Sequence, residues 1–397
     1  MYRYQHELLK KEAIYIAGPE CFYTYGYEAL GAMRKRAESL GFSVTLPNDD
    51  PLDMGNPDPR KRADSIFDNL KTVMQRTTAV IADLEAYRGP EPDAGTVYEL
   101  GMAWAKGARC YGYTRDKRSL QTKNQGVRIS SNGLLDEKGR SMPYPELPFS
   151  PCIIGSTKIV EGDFDDCLRI YETDMEEKWK REGMRKPYPG FHETNVEGDY
   201  NGKTAKTASC VNDQTTAACA GLRRPVIYLS DTVRYLPNSK KRYEMMRMTL
   251  ENMGFDVLTP DDPLPEESSL QRVNGDSGEE NAYVRAARLF DRWQQHIRDC
   301  DIILADLNDF RGYEVSTDVG FECGMAFWLG KKLAGYMDST SPMVRRVPSF
   351  GPDREYRDQT GSNVENFNYP LNLMFACSMD ITEGNYEDAA LKIMQKM

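Results

Sequence analysis

Short apolar runs alternate with segments of helical period along this chain, and the whole alternation occurs twice. Ile14-Tyr-Ile-Ala17 reads as a strand closed by Gly18-Pro19, Tyr27 to Leu40 as a helix stopped by Gly41 at its C′ position, and Phe42 to Leu46 as a second strand. A helix from about Ala63 to Arg76, the strand Ala79-Val-Ile-Ala-Asp83, the loop Leu84 to Ala94, a helix from about Thr96 to Lys106 and a strand Arg109 to Tyr113 follow. The order returns as strand Val226-Ile-Tyr-Leu-Ser230, a helix ending at Gly254, strand Phe255 to Thr259, helix Asn281 to Arg298, strand Asp301-Ile-Ile-Leu-Ala305 and a helix from about Val319 to Gly330. Strands alternating with helices predict the α/β class, here two Rossmann-like (flavodoxin-like) domains in tandem, each a doubly wound parallel sheet.

The repetition extends to particular residues. Ala82-Asp83-Leu84, Tyr87-Arg88-Gly89 and Glu99-Leu-Gly-Met-Ala103 recur as Ala305-Asp306-Leu307, Phe310-Arg311-Gly312 and Glu322-Cys-Gly-Met-Ala326, at a constant offset of 223. For 397 residues this implies two domains of ordinary size, each able to bury its own core. We expect domain 1 over residues 1–185, a linker over 186–224 and domain 2 over 225–397. Asp165 to Arg185 is a charged helix candidate, whereas Lys186 to Arg224 is polar, rich in Gly, Thr, Asn and Ala, and without a clear period. Pro265 to Glu280 is an acidic insertion in the second copy.

Charge narrows the choice of partner. A net charge of −10 argues against a nucleic-acid backbone or an anionic membrane and leaves small molecules as the expected partners. The sequence contains no apolar run long enough to span a bilayer, and its first residues, MYRYQHELLKKE, are too charged for a signal segment, so a cytoplasmic protein is expected. Nine Cys without a CxxC pair, with three His, suggest neither a zinc site nor a disulfide framework; neither metal nor cofactor is expected.

Doubly wound sheets place chemistry at the carboxyl ends of their strands. There the loop after Asp83 feeds a helix whose first turn is expected to hold Glu99, beside Gly18-Pro19. A carboxylate in a first helical turn is favoured in its charged form by about 0.3 to 1 kcal/mol, which keeps it available as a nucleophile. Spacing alone equally allows Glu99 to be a helix cap.

A resemblance bears on that choice. Ile14-Tyr-Ile-Ala-Gly-Pro19, Val80-Ile-Ala-Asp-Leu84, the Tyr-Arg-Gly-x-Glu-Pro-Asp93-x-Gly95-Thr96-x-x-Glu99-x-Gly101 element and Leu147-Pro-Phe149 resemble the nucleoside 2-deoxyribosyltransferase family. The resemblance implies that Glu99 attacks C1′ of a 2′-deoxynucleoside, releases the base and holds a covalent deoxyribosyl intermediate until another base takes the sugar. It further implies that Asp93 binds sugar hydroxyls, that Tyr15 orients the nucleophile, and that an Asn from a neighbouring unit reaches the 5′ end. Such a mechanism is that of a retaining glycosidase with a base in place of water.

Setting the copies against each other locates that Asn. Glu322 falls on Glu99, and Tyr228 falls on Tyr15 at a shift of 213. Ser316 stands where Asp93 stands, and Leu147-Pro-Phe-Ser150 aligns with Tyr369-Pro-Leu-Asn372 at offset 222. If the copies pair as family subunits do, Asn372 completes the site of Asp93 and Glu99, while Ser150 completes that of Ser316 and Glu322. The second combination resembles the related 2′-deoxynucleoside 5′-phosphate N-glycosidases. A carboxylate facing a 5′-phosphate costs roughly 1 to 4 kcal/mol at about 4 Å, whereas Ser donates a hydrogen bond. Arg234 is a candidate phosphate partner there, although Asp231 in place of Gly18 opposes an anion.

Three readings follow. One is a transferase site at Glu99 with a diverged second site at Glu322, one is a pair of sites that hydrolyse nucleosides or nucleoside 5′-monophosphates, and one is a non-catalytic nucleotide-binding or sensing protein. All three take nucleosides, nucleobases or monophosphates as partners in nucleotide metabolism or salvage, with the two repeats paired and further homo-oligomerisation open. Asn69 is a candidate base contact where the transferases place an Asp; Phe22 and Tyr235 are candidate stacking partners. Arg88 and Arg311 either bind substrate or pair with Glu91 and Glu314.

Overall fold

The computed structural model describes residues 12–47, 49, 51–131, 133–142, 146–181, 223–264, 281–351 and 355–397. The linker expected over 186–224 lies outside these apart from Arg223 and Arg224, and the acidic insertion 265–280 lies outside them altogether.

In the first half, strands β1 (Ala13–Ala17), β2 (Ser43–Thr45), β3 (Ala79–Asp83), β4 (Arg109–Thr114) and β5 (Lys158–Glu161) form a parallel sheet in the order β2-β1-β3-β4-β5. In the second, β6 (Val226–Ser230), β7 (Asp256–Leu258), β8 (Ile302–Asp306), β9 (Lys332–Met337) and β10 (Asp380–Glu383) repeat it as β7-β6-β8-β9-β10. Order reverses beside the first strand of each sheet, so a crevice opens at the carboxyl ends of β1 and β3, and again at those of β6 and β8.

The helices between the strands are α1 (Gly26–Ser39), α2 (Pro59–Arg76), α3 (Ala94–Lys106), α4 (Pro151–Ser156) and α5 (Phe164–Arg181), then α6 (Ser239–Asn252), α7 (Ala282–Asp299), α8 (Thr317–Trp328), α9 (Leu373–Ala376) and α10 (Tyr386–Gln395). Most lie where the apolar period predicts them. Helix α2 starts earlier than expected because Asp58 accepts the Arg60 N–H as N-cap and Pro59 suits the first turn. Helix α3 also starts earlier, at Ala94, since Asp93 is its N-cap. Glu99 therefore occupies the second turn and not the first, where the macrodipole has largely decayed.

Each half was expected to bury a separate core. Each does have one, around Ile14, Ile16 and Tyr171 in the first and Ile227, Leu229 and Phe255 in the second. A larger cluster belongs to both, however, and joins Tyr15, Tyr98 and Phe149 to Tyr228, Phe321 and Phe375. At its centre α3 packs on α8. A Cβ added to Gly101 would lie 2.1 Å from the Phe321 carbonyl oxygen, and one on Gly324 would lie 1.9 Å from that of Tyr98. Because Gly101 and Gly324 are repeat equivalents, the helices cross about a pseudo-two-fold axis at a distance only glycine permits.

The Arg-Gly corners obey the same symmetry. Arg88 donates to Glu314 (3.0 Å), Asp358 (2.9 Å) and the Asn363 carbonyl (2.8 Å). Arg311 donates to Glu91 (2.6 Å), Asp136 (3.3 Å) and the Ser141 carbonyl (3.0 Å). Both arginines have positive φ, 50° and 43°, and both guanidinium groups are buried and fully engaged. Of the two roles open to them, they thus take ion pairing, and the glutamate is supplied by the opposite half.

Candidate active site

The two crevices are built from equivalent elements and differ in whether they are open. At the first, a cavity of about 560 Å³ is lined by Gly18 and Phe22 after β1, by Asp93, Gly95, Thr96 and Glu99 of α3, and by Glu365 and Asn372 from the second half. Tyr15, fully buried on β1, donates its hydroxyl to Glu99 Oε1 at 2.6 Å. Burial pushes the Glu99 carboxyl up to about 8; the Tyr15 bond opposes this and the charges of Asp93 and Glu20 add to it. Desolvation thus outweighs the helix dipole expected to hold Glu99 ionised.

Asp93 caps α3 through one carboxyl oxygen and leaves the other unpartnered. Its Oδ2 accepts the Thr96 N–H and hydroxyl, both at 2.7 Å, while Oδ1 is buried with no hydrogen-bond partner. Burial raises its pKa, and Thr96 and Arg88 act the other way. Asn372 comes from the opposite half, as the alignment expects. Its Oδ1 accepts the Met374 N–H at 2.9 Å, and its amide fills the space over Gly95, where an added Cβ would meet Nδ2 at 2.6 Å.

Other first-site residues fall nearby. Pro19 opens the 3-10 turn Pro19–Phe22, and the Phe22 ring stacks on Tyr87 at 5.9 Å. Asn69 is buried and donates to the Pro47 carbonyl at 2.5 Å; Pro47, not Asn69, forms part of the cavity wall.

At the second crevice the corresponding space is filled with side chains. Glu322 is entirely buried and accepts from Tyr228 (2.9 Å), Ser230 (2.6 Å) and both terminal nitrogens of Arg234 (2.9 and 2.8 Å). Arg234, sought as a phosphate partner, instead lies 4.4 Å over the Trp293 ring and donates its Nε to the Asp231 carbonyl. Asp231 itself accepts from Tyr243 (2.7 Å) and the Val233 N–H (3.0 Å), and burial pushes its carboxyl up to about 7.

The equivalent of Gly95 here is Asp318, which takes a hydrogen bond from Tyr235 and, at 3.0 Å, the N–H of Cys152 in the first half. Ser150 bonds the Thr317 hydroxyl at 3.1 Å, and Ser316 Oγ is buried with no partner. In site one Asn372 caps its own helix α9 and Gly95 lies against it; in site two Asp318, at the position of Gly95, caps α4 from the opposite half, and Ser150 stands at the position of Asn372. The sequence comparison weighed the Asp93/Ser316 and Asn372/Ser150 pairs and missed three others, Ala17/Ser230, Cys21/Arg234 and Gly95/Asp318. Each of the three puts a larger polar side chain into the second crevice.

Residues 14–138 and 227–374 match the family model described as nucleoside 2-deoxyribosyltransferase, so the chain belongs to that family. It is an enzyme of a pentosyltransferase family, whose small-molecule substrates are nucleosides and nucleobases. Similar solved structures include a 2-desoxiribosyltransferase from Leishmania mexicana, with 27% identity over 44% of this chain and 99% of that one (TM-score 0.32). A CMP N-glycosidase, BcmB, from Clostridium botulinum has 16% identity over 43% and 98% (TM-score 0.21). A conserved protein from Enterococcus faecalis V583 has 14% over 44% and 100% (TM-score 0.28). No curated protein matches the chain. Among the described residues, no helix is long and apolar enough to cross a membrane, and no cluster of His, Cys, Asp and Glu could hold a metal ion.

Proposed function

We propose that the chain is a nucleoside 2-deoxyribosyltransferase with one working site, at Glu99, and that residues 1–185 and 225–397 act as a fused pair in which the second half completes the first. The observation that carries this reading is the open cavity in which Glu99, held by Tyr15, meets Asp93 of its own half and Asn372 of the other.

In the proposed cycle the ionised Glu99 attacks C1′ as the glycosidic bond breaks, the electron pair of that bond leaves with the base, and a deoxyribosyl ester forms on Glu99. Tyr15 leaves one carboxylate oxygen free by binding the other. Asp93 Oδ1 and the Asn372 amide hold the sugar, and Phe22 with Pro47 offers the base an apolar wall. A second base then attacks C1′ from the side the first one left, and the ester bond breaks to restore Glu99. Transfer in place of hydrolysis requires the bound acceptor base to keep water from the ester. Water in place of the second base gives the N-glycosidase alternative at the same residues.

Site two is proposed to be structural. Its Glu322 has no accessible surface, and Arg234 neutralises it where the nucleophile must be free.

The test is base exchange between a 2′-deoxynucleoside and a free acceptor base. Glu99→Gln should lower the rate by at least about a thousand-fold, as loss of a covalent nucleophile does. Transfer that survives the substitution refutes the assignment.

A further inference from the structure

Glu365 is a carboxyl without an explanation in the mechanism so far. It is supplied by the second half, lines the cavity and is 7% exposed, yet neither of its oxygens has a hydrogen-bond partner among the described residues. The Leu373 N–H approaches without closing a hydrogen bond, and Arg88 nearby is committed to Glu314, Asp358 and the Asn363 carbonyl. A buried carboxyl left unsatisfied costs stability, which a ligand able to satisfy it repays on binding.

Its neighbours indicate which ligand atoms those are. Asp93 lines the same cavity and its Oδ1 is likewise unpartnered, so three unsatisfied acceptor atoms belong to carboxyls of this cavity's lining. Asn372, seven residues further along the same segment, lines the same cavity. Phe22, Pro47, Leu52, Met54 and Ile66 give the cavity an apolar portion, although Glu355, Asn363 and Asn366 also line it. A nucleoside has the same division, a flat base and a sugar with hydroxyl donors.

We propose that Glu365 is a specificity-determining residue that, with Asp93, binds the free 5′-hydroxyl of the deoxyribose and rejects a 5′-phosphate. The inference rests on the proposed reading of site one. The hydroxyl donates to the ionised carboxylate and accepts from the protonated one, an exchange that a pair of carboxyls can offer and a phosphate cannot use. Burial pushes the Glu365 carboxyl up to about 8, with Asp93 adding to the shift and Arg88 opposing it, which supplies the protonated member of the pair at neutral pH. In the first half Pro143 occupies the equivalent position, so the device exists only in the segment that reaches Glu99.

The experiment crosses enzyme and substrate. Wild type and Glu365→Gln are each given a 2′-deoxynucleoside, its 2′,5′-dideoxy analogue and its 5′-monophosphate, and kcat/KM for base release is measured. Wild type should prefer the 5′-hydroxyl over 5′-hydrogen by about ten- to a hundred-fold, as expected for a buried hydrogen-bonded hydroxyl, and should act on the monophosphate more slowly still. Glu365→Gln should lose activity on the deoxynucleoside by a similar factor, leave the dideoxy analogue nearly unchanged and narrow the discrimination against phosphate.

An equal loss on both uncharged substrates overturns the proposal. So does a wild type indifferent to the 5′ group, a result that needs no variant to fold. Glu99→Gln run alongside keeps the two readings apart. Persistent cleavage in that variant refutes the nucleophile, whereas 5′ discrimination that Glu365→Gln leaves intact refutes only the role of Glu365.

Discussion

Arg234 grips Glu322 with both terminal guanidinium nitrogens, at 2.9 and 2.8 Å, in the position where the first half places Cys21 beside Glu99. Glu322 thus carries a buried counter-ion at the position where the first half has a cysteine. Trp293 beneath the guanidinium, Ser230 on Oε2 and Tyr228 on Oε1 complete a buried network around the carboxylate.

Breaking that network should cost stability and little activity. Arg234→Ala leaves Glu322 buried without its counter-ion and is expected to lower unfolding free energy by about 3 to 5 kcal/mol, read as a shift in the denaturant midpoint. Combining it with Glu322→Gln should recover much of the loss. A midpoint unchanged by Arg234→Ala contradicts the structural role.

Glu99 should show the opposite balance. Its folded-state carboxyl titrates near 8, above the unfolded value, so the folded protein binds the extra proton between about pH 4.5 and 8. Stability from this group is full below that window and is lost as pH rises through it. Glu99→Gln should therefore raise the melting temperature more at pH 8 than at pH 5, while abolishing transfer. Equal shifts at the two pH values would disprove the desolvation argument.

Tyr15 links the same carboxyl to rate. In the proposed cycle the attacking form is ionised, so kcat/KM should rise with pH toward a limb near 8. Tyr15→Phe removes a bond that favours the ionised form, and should move the limb upward and reduce kcat by about ten- to a hundred-fold. A pH–rate profile that keeps its limb in the variant argues against this pairing.

Asn372 separates capping from substrate binding. Asn372→Asp retains an acceptor for the Met374 N–H and removes the amide donor beside Gly95, so melting should change little while kcat/KM falls by about ten-fold or more. Full activity in Asn372→Asp would show that the amide does not touch substrate.

The strand–helix alternation and the pairing of copies were legible because both rest on apolar periodicity and on a repeat with a constant offset. Strands β5, β9 and β10 were not anticipated; β5 and β10 are short edge strands, half-buried at most, with a weak pattern. The approach of Asn372 to the Glu99 site was legible from the copies and the family resemblance together. The pairing of Arg234 with Glu322 was not legible for a physical reason: residue type shows that a guanidinium seeks an anion, but not whether the anion is a ligand or the neighbouring Glu322. Glu365 carried no local signal at all, since its meaning depends on a fold that brings residue 365 to residue 93.

The most direct measurement is the location of the covalent intermediate. A 2′-deoxynucleoside donor with an electron-withdrawing fluorine at C2′ slows breakdown of the glycosyl ester, so that it can be trapped and mapped by peptide mass spectrometry. The account predicts one sugar per chain, on Glu99, in both the wild type and Glu322→Gln. A sugar on Glu322, or two sugars on each chain, would contradict it.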